Sequence, residues 1–151
     1  MNEKWQERTR LLAGEKTLER YANAHVLVVG LGGVGAYAAE QLCRAGIGEM
    51  TIVDADNVDI TNITRQLLAT TESIGTSKVS VMAQRLRSIN PDIRLHEVHE
   101  FLRDEGTIRL LESTKFDYVV DAIDTLSPKV FLIYFTMKMN IPLVSAMGAG
   151  G

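Results

Sequence analysis

The sequence predicts an α/β fold built on a doubly wound, mainly parallel sheet, and three observations carry that expectation. Short apolar runs alternate with longer helix-patterned segments, in the order β-α-β-α-β-α-β-α-β after a helical start. The first of these runs, Val26 to Val29, is almost continuously apolar, so both of its faces need covering, as in a buried parallel strand. Gly30, Gly32 and Gly35 then stand in G-x-G-x-x-G spacing between that strand and a helix pattern. With right-handed crossovers, this makes a Rossmann-like sheet whose ligand rim lies at the carboxyl ends of its strands.

The elements follow in order. Residues 1–22 form an N-terminal helical segment, polar and broken at Gly14. Trp5 and the Leu11-Leu12 pair offer it a face for packing onto the body, and Arg8 and Arg10 read locally as a solvated face. Residues 23–151 make up the main domain. Its first helix carries Ala36, Ala38, Ala39 and Leu42 and stops at Gly46-Ile-Gly48. Met50 to Val53 is the second strand. Asp54 to Gln66 is too polar for a core element and too long for the usual connection, so it reads as a loop on the ligand rim. A helix over 76–89 buries Val79, Met82, Ala83, Leu86 and Ile89, and Asn90-Pro91 ends it. Lys78 opposes the dipole in its first turn, which suits either a bound ligand or a solvated lysine.

Ile93 to Val98 is the third strand. His96 and His99 fall on its opposite faces and so share no metal. Both read as surface residues, and His25 as a strand-edge residue. A short helix over 104–113 follows. Phe116 to Val120 is the fourth strand and runs into Asp121-Ala-Ile-Asp124, which puts two acids on the rim. A helix opening at Ser127-Pro128, with serine as cap and proline in first position, runs to Met139. Pro142 to Ala146 is the fifth strand, and Gly148-Ala-Gly-Gly151 is a turn.

Composition narrows the function. The 151 residues are 46% hydrophobic and 23% charged, with a net charge of −3. There is no overall basic field to attract nucleic acid or an anionic membrane. Cys43 is the single cysteine; it reads as a core residue, makes no disulfide or zinc site, and fits a reducing, cytoplasmic setting. Met1 to Arg10 is charged throughout, unlike a signal peptide, and Val130 to Phe135 is too short an apolar run to span a bilayer.

The chemistry concentrates on the rim. Gly30 lets the chain turn off its strand, Gly32 lets a phosphate approach the backbone, and Gly35 lets the helix pack close to the sheet. The helix start offers N–H groups and a positive dipole end to an anion. Asp54 ends the second strand, where a carboxylate takes a ribose hydroxyl. A nicotinamide enzyme needs little more than these. Here Asp56, Asn62, Arg65, Gln66, Lys78 and Asp124 join the rim, and cations with a further acid suit a triphosphate and Mg²⁺. A glycine-rich turn that binds nothing is the plainer alternative.

Four motifs stand in order at the strand ends: G-L-G-G-V-G, D-A-D-x-V-x-x-x-N-x-x-R-Q, G-x-x-K and D-A-I-D. Together they resemble the ubiquitin-activating superfamily of adenylating enzymes, the MoeB/ThiF group, over about residues 10–151. R-T-R-L-L-A-G-E-K and D-A-I-D-T-L-S-P-K look like its tRNA threonylcarbamoyladenosine dehydratase branch. The resemblance implies ATP and Mg²⁺ as cofactors. It also implies a homodimer that activates the threonyl carboxylate of the modified adenosine in tRNA, which then closes into a ring. By motif, Gly30, Gly32, Gly33 and Gly35 approach the phosphates, Asp54 takes the ribose, and Asp56 and Gln66 line the site. Asn62, Arg65 and Lys78 hold the triphosphate, Asp124 is the magnesium ligand, and Arg10 reaches the partner subunit's ATP. A cysteine desulfurase system is an implied partner. Family members continue well past the position of Gly151, so the resemblance makes this the N-terminal part of an adenylation domain. The alternatives are an adenylyltransferase acting on a ubiquitin-like sulfur carrier and a non-catalytic nucleotide-binding module.

Overall fold

The first strand, β1 (His25–Val29), is buried along its whole length, and the remaining elements are arranged around it. A computed structural model describes residues 3–148. Within them, β2 (Glu49–Val53), β3 (Arg94–Val98), β4 (Tyr118–Asp121) and β5 (Leu143–Ser145) complete a five-stranded sheet in the order β3-β2-β1-β4-β5. Every neighbouring pair is parallel. The helices are α1 (Glu7–Ala13), α2 (Glu15–Ala22), α3 (Gly35–Ala45), α4 (Lys78–Ile89), α5 (Asp104–Ser113) and α6 (Leu126–Lys138). One core cluster joins Val26, Val28, Met50 and Ile52 to Ala36, Ala39 and Cys43 of α3 and Met82 and Leu86 of α4. The other joins Leu27, Val29 and Val53 to Leu111 of α5 and Leu132 of α6. Alternate strand residues thus feed opposite layers, and the sheet is doubly wound as expected.

Several expectations need correcting. His25 opens the central strand and is only 6% exposed, not a residue at an edge. His96 and His99 are exposed, as read from the sequence, although His99 lies just past the end of β3. Leu11 and Leu12 are 83% and 89% exposed, so they do not pack α1 onto the body. Leu18 of α2 provides the buried contact in that region. Gly14, at φ +84, breaks the two helices apart. The last helix starts at Leu126 with Thr125 as cap and no side-chain cap bond, so Ser127 lies inside its first turn. Of the turn expected over 148–151, all but Gly148 lies outside the described residues, as do the first two residues of the N-terminal segment.

A carboxylate joins two helices of one layer. Glu40 of α3 is buried and accepts hydrogen bonds from Arg85 of α4 at 3.0 and 3.1 Å and from Arg44 at 2.8 and 3.1 Å. The Arg85 bond holds its carboxyl below the usual range, against the opposing effect of burial. Glu40→Ala is therefore expected to lower stability by about 1–3 kcal/mol at neutral pH, read from the denaturant midpoint. The carboxyl's contribution is present above its unfolded pKa and is lost as pH falls through the lower folded value. The gap between parent and variant should close below about pH 4; a gap that is unchanged there would contradict the assignment.

Candidate functional site

The site is built where the chain turns off β1. Gly30 donates its N–H to the Val53 carbonyl at 2.9 Å, and Ala122 donates to the Val29 carbonyl at 2.8 Å. The turn is thereby held between the ends of β2 and β4. Gly30 has φ +94, and a Cβ there would lie 2.6 Å from the Ala122 carbonyl oxygen. At Gly35 a Cβ would lie 1.6 Å from the Gly30 carbonyl oxygen. The start of α3 is thus pressed onto its own turn and onto β4. β1 leads to a helix on one face and β4 to a helix on the other, so the crevice between their carboxyl ends is the switch point where such sheets bind ligands.

The next two glycines face the polar loop. A Cβ on Gly32 would find Gln66 Nε2 at 3.5 Å, and one on Gly33 would find the Arg65 carbonyl oxygen at 3.7 Å. These are ordinary contacts, so the loop's outer side is not crowded by protein. No side chain caps the start of α3, whose N-cap residue is Val34. Gln66 Oε1 is buried with no hydrogen-bond partner. An uncapped helix start beside an unsatisfied acceptor suits a polyanion with hydroxyl groups, as a nucleotide is.

The polar loop is ordered by its own side chains. Asp54 uses both oxygens on backbone: Oδ2 accepts from Leu31 N–H and Oδ1 from Asp56 N–H, each at 2.8 Å. Asp59 caps a short 3₁₀ helix, Ile60–Thr64, and the side chain of Asn62 answers by accepting from Asp59 N–H at 2.9 Å. Asn62 is therefore buried as a structural group of the loop. Arg65 is exposed and donates to the Thr61 carbonyl at 3.0 Å. The loop is fastened to the segment before α4 by Val58 N–H to the Thr76 carbonyl and Gly75 N–H to the Val58 carbonyl, both at 2.8 Å. Lys78 is consequently 5% exposed at the first position of α4, with Nζ 3.9 Å from the Asp56 carboxylate, a loose pair.

The end of β4 departs from expectation. Asp121 is fully buried rather than on the rim. It accepts from Lys129 Nζ and Ser145 Oγ, each at 2.6 Å, and Lys129 also donates to the Ala146 carbonyl at 2.7 Å. Sequence reasoning did not pair them, because Lys129 lies eight residues further on, in the following helix. The available signal was two acids at one strand end with a lysine one helical turn beyond. Asp124 does stay exposed, next to Thr125. It is the one carboxylate of the D-A-I-D run that is open to an ion, and magnesium needs only one or two such groups besides phosphates and water.

Gly30, Gly32, Gly33, Gly35, Asp54, Arg65 and Gln66 thus share contacts around the turn, and Asp56, Asn62 and Lys78 stand in the adjoining loop. Arg10 does not join them. Its Nε donates to Glu15 at 2.6 Å, so it has a local partner. The N-terminal helices dock on the turn entering β2, with Gln6 against Gly46 and Ala22 against Gly48, at the amino end of the sheet.

Comparison with known proteins gives a consistent result. A family model described as the ThiF family matches residues 6–151. The tRNA threonylcarbamoyladenosine dehydratase of Escherichia coli is 44% identical over 154 aligned positions, covering 100% of this chain and 57% of that protein. The crystal structure of that enzyme in complex with ATP superposes with a TM-score of 0.93 at 44% identity, covering 99% of this chain and 63% of that one. The sulfur carrier protein ThiS adenylyltransferase of Escherichia coli is 36% identical over 135 positions, covering 88% of this chain and 53% of that protein. The chain therefore spans less than two thirds of each of these relatives.

The two kinds of glycine separate experimentally. Gly35→Ala should gain up to about 1 kcal/mol of helix propensity. The overlap with the Gly30 carbonyl outweighs this, so a net loss of about 3 kcal/mol is expected. Gly32→Ala should stay within about 1 kcal/mol of the parent. Urea midpoints decide, and equal stability of Gly35→Ala and the parent would contradict the packing.

Proposed function

Because the chain belongs to the ThiF family, we propose that it is the nucleotide-binding part of an ATP-dependent adenylating enzyme. Its substrate on this reading is the threonyl carboxylate of threonylcarbamoyladenosine in tRNA. The observation that carries the reading is the convergence of an uncrowded glycine turn, an uncapped helix start, Arg65 and the unsatisfied Gln66 at the switch point. The 44% identity to the Escherichia coli dehydratase over the whole chain supports the choice of substrate. Residues 1–22 serve as the helical extension and residues 23–151 as the ATP-binding domain.

The roles follow from chemistry. Gly32 and Gly33 let the phosphates reach the backbone, and the start of α3 faces their charge. Arg65 and Lys78 neutralise the triphosphate, while Asn62 and Asp59 fix the loop that presents Arg65. Asp54 holds the turn through Leu31 and Asp56 and offers remaining acceptor capacity to the ribose, with Gln66 beside it. Asp124 is the residue that would hold magnesium, which when bound neutralises phosphate charge. A carboxylate oxygen is a poor leaving group. Attack by the ionised substrate carboxylate on the α-phosphorus releases pyrophosphate and leaves a mixed anhydride whose leaving group is AMP. The substrate needs no general base, so positioning and charge neutralisation carry the step. An atom of the neighbouring carbamoyl group then bonds to the activated acyl carbon as the C–O bond to AMP breaks, and that group's N–H proton is lost to water, which closes the ring.

The same reading makes the protein a cytoplasmic homodimer in which Arg10 serves the partner's nucleotide. Arg10 stands beside the exposed Leu11 and Leu12, and its Glu15 pair is a surface pair that costs little to exchange. A cysteine desulfurase system is the associated partner. No helix among the described residues is long and apolar enough to cross a membrane. The second reading, adenylation of a ubiquitin-like sulfur carrier, is favoured by the likeness to the ThiS adenylyltransferase and uses the same nucleotide chemistry.

The test gives the full-length protein ATP with either threonylcarbamoyladenosine-bearing tRNA or a sulfur carrier ending in Gly-Gly. AMP should form with the tRNA; AMP formed only with the carrier would overturn the substrate. In the same assay Arg65→Ala should slow turnover roughly a hundredfold or more, with the urea midpoint nearly unchanged. Turnover equal to that of the parent would remove Arg65 from the site.

A further inference from the structure

The amino end of the sheet, opposite the glycine turn, holds a cluster that the adenylation chemistry does not use. The register pairs His25 of β1 with Glu49 of β2, and Thr51 of β2 with His96 of β3. Alternation along the strands puts these side chains on one face. Nitrogen atoms of His25 and His96 and a carboxylate oxygen of Glu49 all lie within 4.8 Å of one another. We propose that His25, Glu49 and His96 bind a divalent zinc ion that ties β1, β2 and β3 together at this end of the sheet.

The donor set is the first argument. Two imidazoles and one carboxylate, with a fourth position open to water, match the three-ligand zinc sites of proteins. The second argument is orientation. His25 Nε2 meets the Thr51 hydroxyl at 2.8 Å, while Nδ1 faces Glu49 Oε1 at 3.7 Å. A hydroxyl that accepts from Nε2–H leaves the lone pair on Nδ1, aimed at the shared space, as outer partners do for metal-bound histidines. The Phe116 ring packs against His25, with centroids 4.8 Å apart, and fixes its plane.

Two features must yield. Tetrahedral zinc sets its donors about 3.4 Å apart, so a separation of up to 4.8 Å closes by up to about 1.4 Å. His96 is exposed and Glu49 half-buried, which leaves them room to move. The His96 Nε2–Glu49 Oε2 hydrogen bond of 2.7 Å opens to admit the ion between them. Arg94 Nε, 3.8 Å from Glu49 Oε1, belongs to a mostly exposed side chain that can turn to solvent. The Asp117 carboxylate, which accepts His25 N–H at 2.8 Å, adds negative charge nearby.

Calorimetric titration of metal-stripped full-length protein with ZnCl₂ tests the site, with His96→Ala as the variant and His99→Ala as a surface control. The parent and His99→Ala should bind one more equivalent than His96→Ala, or bind that equivalent at least tenfold more tightly. Zinc should also raise the melting temperature of the parent by more than that of His96→Ala. A parent that takes up no zinc, or equal stoichiometry, affinity and thermal shift in parent and His96→Ala, would overturn the proposal. None of these readouts depends on ATP or on turnover.

Discussion

The contact between Gly35 and the Gly30 carbonyl is the constraint on which the rest of the structure depends. No side chain fits there: a Cβ at Gly35 would overlap a backbone oxygen, and one at Gly30 would overlap the end of β4. Removing those atoms lets three backbone segments meet, the turn after β1, the start of α3 and the residues after β4. Their approach closes one side of the crevice and aims the start of α3 at whatever occupies it. Gly32 and Gly33 differ, because a Cβ at either would meet the polar loop only at ordinary contact distance; on the proposed function that room is for the phosphates.

Asp54 sets the other side. Its carboxylate holds Leu31 N–H with one oxygen and Asp56 N–H with the other, so it braces the turn against the polar loop. The loop is then capped by Asp59 and Asn62 and fastened to the segment before α4. Asp54 and Asn62, two residues that the motif assigns to the nucleotide, therefore order the loop through their own hydrogen bonds. Lys78 gains its place in the same way. Burial at a helix start is unfavourable for a lysine, and the carboxylates of Asp56, 3.9 Å away, and Asp59 offset part of that cost.

The fold was largely legible because its signals are local. A continuous apolar run, three glycines and a helix pattern lie within residues 26–45, and the alternation of strand and helix patterns recurs along the rest of the chain. The rim residues were legible as motifs. Contacts between residues distant in sequence were not. Asp121 looked like a rim acid because its strand ends there, but Lys129 and Ser145 return to it from α6 and β5. Arg10 looked like part of a solvated face, yet it pairs with Glu15 across the Gly14 break. Leu11 and Leu12 looked like packing residues, yet the body presents them no surface. His25 and His96 come together only through the parallel register of three strands, which no spacing in the sequence encodes.

On the proposed function, the crevice at the β1–β4 switch point takes a triphosphate with magnesium rather than a dinucleotide. Thermal and denaturant unfolding of the full-length protein with each ligand tests it most directly. ATP with Mg²⁺ at a hundred times its dissociation constant should stabilise the fold by about 2.7 kcal/mol, while NAD at the same concentration should leave the midpoint unchanged. Stabilisation by NAD with none by ATP and Mg²⁺ would contradict the account.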